Sequence, residues 1–256
     1  MRKMTDLWPR LEPLLRDAER PSRYLNHEFG CVRKQDADFA FCMVYPDTYE
    51  LGQANQALRI LVNVVNASEN LCAERAFLPA PAFCDVMRRE HLPLFSIESC
   101  APLREFDAIG ITLPHELAAT NVLETLDLAG IPIRSEDRSE NDPYAPFFDA
   151  ISIGEGEEAV PEGLHLIRRM RQEGASRGDV LRALAREDGW YVPSLYRWRS
   201  EEEAQEAGSW IEPVEPGLPT VIRKRLFTRF AESNGWEPCI VPYAECVHDR
   251  LNVEVL

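Results

Sequence analysis

Three short stretches of this sequence set polar side chains and glycines at the ends of apolar runs, where a sheet would present them to a ligand. Asp47, Tyr49 and Gly52 follow the run Phe39 to Tyr45 at a spacing of i, i+2, i+5. Thr112 and Leu113 close the run that begins at Ala108. Gly154, Glu155 and Gly156 follow Ala150 to Ile153 and open a helical pattern. Each has two readings. Asp47 either orients a ligand or caps the turn before a helix, a place aspartate favours. Tyr49 either faces a ligand or is an aromatic at a strand end. Gly52 permits close approach, of a helix to the sheet or of a ligand to the backbone. The Thr112 hydroxyl can meet a ligand or satisfy a nearby backbone group. Glycines between a strand and a helix N-terminus can hold an anion through backbone N–H groups. The acids Glu155 and Glu157 disfavour a free phosphate, and suit neutral amides and hydroxyls or the dipole of the helix that follows. Other candidates carry less. His248 and Asp249 are adjacent, and neighbours on a strand point to opposite faces. The seven cysteines include no CxxC and no zinc or iron–sulfur spacing. They read as small buried hydrophobes of a reducing compartment, and neither a metal ligand nor a catalytic residue is assigned.

The elements that would position these residues alternate. Phe39 to Tyr45 is a continuous apolar run of strand length, as a buried parallel strand requires. Gly52 then opens a helix whose apolar stripe is Leu58, Leu61, Val62 and Val65. Ala76 to Leu78 reads as a second strand, Ala82 to Glu90 as a second helix, and Leu94 to Ser96 as a short extended piece. Ala108 to Leu113 is a third strand, followed by a helix over Leu117 to Leu128 that stops at Gly130. Ile131 and Ile133 look strand-like. Ala150 to Gly154 reads as a last buried strand and Glu157 to Arg171 as a long amphipathic helix. The alternation predicts an α/β fold with an open, Rossmann-like parallel sheet, spanning about Phe39 to Glu173. Its ligand edge lies beyond the carboxyl ends of the strands, with Asp47, Thr112 and Gly154 together there. The lead-in occupies residues 1–30 and the α/β domain 31–189. Residues 190–256 form a further segment, with extended pieces at Trp190 to Tyr196 and Val221 to Phe227 and an acidic, loop-like stretch from Glu201 to Pro219 between them.

Composition narrows the function classes. Acidic residues outnumber basic ones 43 to 28, for a formal charge of -15. That field repels phosphate backbones and anionic lipid, which argues against nucleic acid and membrane as partners. The basic groups Arg168–Arg169–Arg171 and Arg223–Lys224–Arg225 read as solvated faces. No stretch of eighteen apolar residues and no apolar run behind the N-terminus is present, so a cytoplasmic location is expected.

The three stretches, with Leu92 to Glu98 and Tyr191 to Tyr196, stand in an order that resembles a subfamily of cobalamin-binding-domain radical S-adenosylmethionine (radical SAM) proteins. The resemblance runs from about Arg23 to Leu256. It implies a cobalamin-binding-type domain in which Asp47, Tyr49 and Gly52 match an Asp-x-His-x-x-Gly motif, Thr112 with Leu113 lies near the nucleotide tail, and Gly154, Glu155 and Gly156 complete the set. The sequence departs from that pattern twice. Tyr49 stands where the family has the histidine that binds cobalt, and a phenol replaces imidazole poorly. The strand and Gly-Gly pair expected between Asp142–Pro143 and Phe147–Phe148 are missing. Cobalamin binding is therefore expected to be weak or absent, and Tyr49→His is not expected to restore it. Pro242 to Leu256 resembles the strand that opens the radical SAM barrel, in which a CxxxCxxC loop holds a 4Fe-4S cluster that cleaves S-adenosylmethionine. No such cysteines occur here. The resemblance thus implies a truncated or split member, inactive alone, serving a barrel that lies in cis or on a separate chain. The alternative is a Rossmann-like structural or protein-interaction module that takes no cofactor.

Overall fold

The computed structural model describes residues 4–34, 36–134, 137, 149–229 and 240–247. They divide between two compact units, Met1–Pro143 with Asn234–Leu256, and Tyr144–Ser233.

The first unit is α/β, with a Rossmann-like open parallel sheet. A short helix α1 (Trp8–Leu11) and 3-10 turns at Glu12–Asp17 and Pro21–Tyr24 lead into β1 (Phe39–Tyr45). Then come α2 (Tyr49–Gln53), α3 (Gln56–Ala67), β2 (Leu71–Phe77), α4 (Pro81–Arg89), β3 (Ala108–Ile111) and α5 (Ala119–Ala129). The strand order is β2-β1-β3, all parallel, with Met43 opposite both Arg75 and Gly110. Residues Phe39 to Val44 are all buried, as the unbroken apolar run requires for a central strand covered on both faces. Local chemistry sets the helix ends. The Asn55 side chain accepts the Leu58 N–H at 2.9 Å to start α3, and Gly130 at φ 65 ends α5.

The strand β2 begins five residues earlier than Ala76. Leu71 to Phe77 is buried throughout, including Glu74 and Arg75. These two charges make the segment read as surface, yet Arg75 is neutralised by Glu28 and Glu98, and Glu74 accepts hydrogen bonds from the Ser99 hydroxyl and N–H. The Ile131–Ile133 piece forms no strand, and Ile133 is exposed.

The second unit packs α6 (Gly156–Gln172) with α7 (Arg177–Leu184), the antiparallel pair β4 (Ile151–Ser152) and β5 (Trp190–Tyr191), and the hairpin β6 (Tyr196–Trp198) and β7 (Ile211–Pro213), joined by α8 (Glu201–Ala207). Gly163 on α6 lies under the Trp190 indole, which a Cβ there would meet at 2.6 Å. The expected buried parallel strand at Ala150 to Gly154 is instead the two-residue, partly exposed β4, paired antiparallel with β5. Ile151 and Ile153 flank Ser152, an alternation suited to a half-covered strand rather than a central one. The stretch Glu201 to Pro219 is not all loop. Ser200 and Glu203 form a reciprocal capping box, acids fill the first turn of α8, and Gly208 ends it at φ 65. Residue 190 lies inside this unit.

No helix among the described residues is long and apolar enough to cross a membrane. Cys239, His248 and Asp249, the region of the expected Gly-Gly element, and most of the barrel-like segment fall outside the described residues. In the described part, Val241 bridges Phe29 and residues 242–247 form no strand.

Candidate functional site

In an open sheet of order 2-1-3, the crevice for a ligand lies where the order reverses, between the carboxyl ends of β1 and β3. Asp47 and Thr112 follow these two strands, as expected. Gly154 follows β4, which belongs to the second unit, so the expected three-residue cluster does not form on one sheet edge.

The side chains after β1 are engaged by the chain itself. One Asp47 carboxylate oxygen accepts the Thr48 N–H at 2.7 Å, which tightens the turn into α2. The Tyr49 phenol points inward and donates to Glu28 of the lead-in, with its ring edge-on to Phe77. Burial, followed by the Glu28 hydrogen bond, holds this phenol well above its ordinary pKa. At Gly52 an added Cβ would fall 2.4 Å from the Phe77 ring and 2.9 Å from Tyr45 Cβ. The glycine therefore serves close approach of α2 to the strand ends. After β3, the Thr112 N–H and hydroxyl lie 3.1 and 3.4 Å from the Val44 carbonyl, and Leu113 is exposed.

Beneath Tyr49 lies a group of buried charges. Arg75 on β2 is fully buried. Its guanidinium donates to Glu28 at 2.6 Å, to Glu98 at 2.6 Å and to Gln53 of α2, and its backbone N–H donates to the second oxygen of Glu98 at 2.7 Å. Two carboxylates hold the Arg75 pKa above its ordinary value despite burial, which alone would lower it. A single unpaired charge here would cost several kcal/mol, on the order of the penalty for one desolvated ion. The lead-in also fixes α2 from outside, since Arg20 and Arg23 donate to Glu50 at 3.0 and 2.7 Å. Sequence reading missed this network. Its one signal was the Leu92 to Glu98 stretch, whose terminal acid proves to be an Arg75 partner.

A small recess lies at the carboxyl ends of β1 and β2, bordered by Arg23, Tyr24, Tyr49, Phe77 and Phe95. Its volume is about 10 Å³, space for about one water. The Tyr24 ring stacks on Phe83 with centroids 4.4 Å apart, so the lead-in roofs this part of the sheet.

In the second unit, Gly154 sits at φ 111, and a Cβ there would lie 2.1 Å from the Arg225 carbonyl. Arg225 N–H donates to Ile153 O at 2.9 Å, and Glu155 N–H donates to Arg225 O at 3.1 Å. The Glu155 carboxylate accepts the Phe227 N–H, Glu162 pairs with Arg225 at 2.7 Å, and Glu158 pairs with Arg229. Gly156 is the first residue of α6. The turn thus clasps residues 225–229 of its own chain through amides and cations. Arg225, expected on a solvated face, is half of that clasp.

Residues 57–193, just over half of the chain, match the family described as radical SAM proteins, N-terminal. The chain belongs to this family. Its match to the radical SAM N-terminal family takes in α3 through β5. No curated protein and no solved structure matches the chain.

The cobalamin that the sequence resemblance implies does not fit these residues. The position expected to face cobalt holds a phenol turned into the core, Phe77 occupies the space beside Gly52, and the Thr112 hydroxyl lies at a backbone carbonyl.

Proposed function

We propose that this chain is a non-catalytic N-terminal module of a radical SAM protein, one that supports a barrel in cis or on a separate chain and takes no corrinoid. Family membership supports the first part. The observation that carries the second is the engagement of Tyr49 by Glu28, inside a network completed by Arg75, Gln53 and Glu98. Opening that position for a ligand breaks buried, charge-assisted hydrogen bonds, each typically worth about 1.5–3 kcal/mol. No CxxxCxxC is available to hold a 4Fe-4S cluster, and the chain's own residues offer no radical chemistry. The test has two readouts. After anaerobic reconstitution with iron, sulfide and S-adenosylmethionine, the chain should form no 5′-deoxyadenosine. After incubation with hydroxocobalamin and desalting, it should keep no visible spectrum. Catalytic deoxyadenosine or a retained corrinoid band would refute the reading.

A second reading places a ligand at the switch point itself. Asp47 and Thr112 flank that crevice, and Leu113 and Leu117 are exposed there, Leu117 by 84%. On this reading a cofactor lies above β1 and β3 without using Tyr49, and the desalting experiment would detect a corrinoid bound there.

A further inference from the structure

Residues 240–247 lie in the first unit and reach α2 once directly and once through Glu28. Val241 forms an antiparallel bridge with Phe29, its N–H donating to Phe29 O at 2.9 Å. The Tyr243 hydroxyl donates to the His27 carbonyl at 2.5 Å. The Tyr243 N–H donates at 3.1 Å to Glu28 Oε1, the same oxygen that accepts the Tyr49 phenol. Four residues on, the Val247 N–H reaches the Glu50 carbonyl at 3.4 Å. The first two residues of α2 are therefore both tied to this segment, Tyr49 through Glu28 and Glu50 directly. α2 is only five residues long, and its Leu51 and Gly52 N–H both reach back to Thr48 O. Helices of this length are not stable unaided, so its order depends on what pins it. Tyr49 and Thr48 also border the recess at the strand ends.

We propose that residues 240–247 are a strap that locks α2 over the recess, so that the seating of this segment controls access to the carboxyl ends of β1 and β2. The coupling runs through Glu28, because one carboxylate oxygen holds both the strap and the α2 phenol. Lifting the strap removes one donor from that oxygen and the direct tie at Glu50. It leaves the Arg75 contacts to Glu28 and Glu98 in place. The device is local: α2 loosens while β1 and β2 stay ordered. A ligand or partner that draws the strap away would open the recess, and one that seats it would close it. This goes beyond the proposed function and holds whatever the partner is.

Hydrogen exchange of the full chain, read by peptide, tests the coupling. Tyr243→Pro removes the N–H given to Glu28 and the phenol given to His27, at a surface position about half exposed. Val247→Pro removes the other tie, and Tyr243→Phe, which removes only the hydroxyl, separates the two Tyr243 contacts. In both proline variants, amides of 49–53 should exchange about tenfold faster, as expected for local opening, with β1 and β2 amides unchanged. Tyr243→Phe should move α2 less than Tyr243→Pro. A strap that exchanges faster while α2 keeps its wild-type protection would overturn the proposal. So would acceleration spread evenly over α2, β1 and β2, which would mark general loss of structure. Should Tyr243→Pro not fold, Val247→Pro decides the question by the same readout.

Discussion

The two units solve the same problem, keeping opposite charges together, in different surroundings. In the first, Arg75, Glu28 and Glu98 meet inside the core with almost no exposed surface. In the second, Glu158 and Glu162 hold Arg225 and Arg229 at the surface, around the Gly154 turn. The second unit does bury one pair, Arg177 with Asp149 at 2.8 Å. Desolvation makes a buried arrangement all-or-none, because losing one member strands the others. A surface arrangement is tunable and is weakened by salt. The first unit is thus built to hold one geometry at the strand ends, and the clasp of the second can yield gradually.

The largest expected effect follows from removing the hub. Arg75→Met leaves Glu28 and Glu98 buried without their cation and should cost about 3–5 kcal/mol, read as a loss of urea midpoint in the transition of the first unit. A cost under about 1 kcal/mol would mean that the network is not closed as described. Next is Gly52→Ala, whose Cβ overlaps the Phe77 ring. Overpacking of this kind should cost about 1–3 kcal/mol, and Gly208→Ala, where no atom lies within 4 Å, should lack that steric part.

Acid should separate the units by a smaller amount. Glu50 is buried, which alone would raise its pKa, but hydrogen bonds from Arg23 and Arg20 overcome this and hold it below 4.5. A folded pKa below the unfolded one means that the pairing stabilises above about pH 4.5 and is lost as pH falls through the depressed value. Glu50→Gln should therefore flatten the acid limb of the stability curve of the first unit. An unchanged limb would remove Glu50 from the account. The smallest effect is that of salt. Raising NaCl to about 1 M, where screening acts within about 3 Å, should speed exchange of the 225–229 amides and leave those of 75–77 unmoved. Equal responses would erase the contrast between the units.

Much of the first unit was legible in the sequence. The run Phe39 to Tyr45 has one reading because seven successive apolar side chains suit a strand covered on both faces, and Gly130 ends its helix as its left-handed backbone requires. The hub was not legible. Leu-Cys-Ala-Glu-Arg-Ala-Phe looks amphipathic until Glu28 and Glu98, 47 and 23 residues from Arg75, are known to neutralise it. The site residues were found as positions, and their roles were left between two readings. At Gly52 and Thr112 the structure favours the internal one, since the space beside the glycine is taken by Phe77 and the hydroxyl lies at Val44 O. At Gly154 neither anion nor neutral ligand is needed: the turn meets Arg225 of its own chain, a contact across 71 residues that no local pattern announces. Helix α8 could have been read from Ser200, Glu203 and Gly208, but the acidic run and the prolines that follow masked it.

The residues at the end of β1 are committed to the chain's own core. Equilibrium titration of the unmodified chain and of Tyr49→His with hydroxocobalamin, followed by visible absorbance, tests this commitment most directly. No saturable spectral change is expected for either protein up to the solubility of the ligand, because the imidazole would inherit a position turned toward Glu28 and packed against Phe77. Micromolar or tighter binding by the unmodified chain would contradict it. Binding gained only by Tyr49→His would place the fault in that one side chain and return the corrinoid to the strand ends.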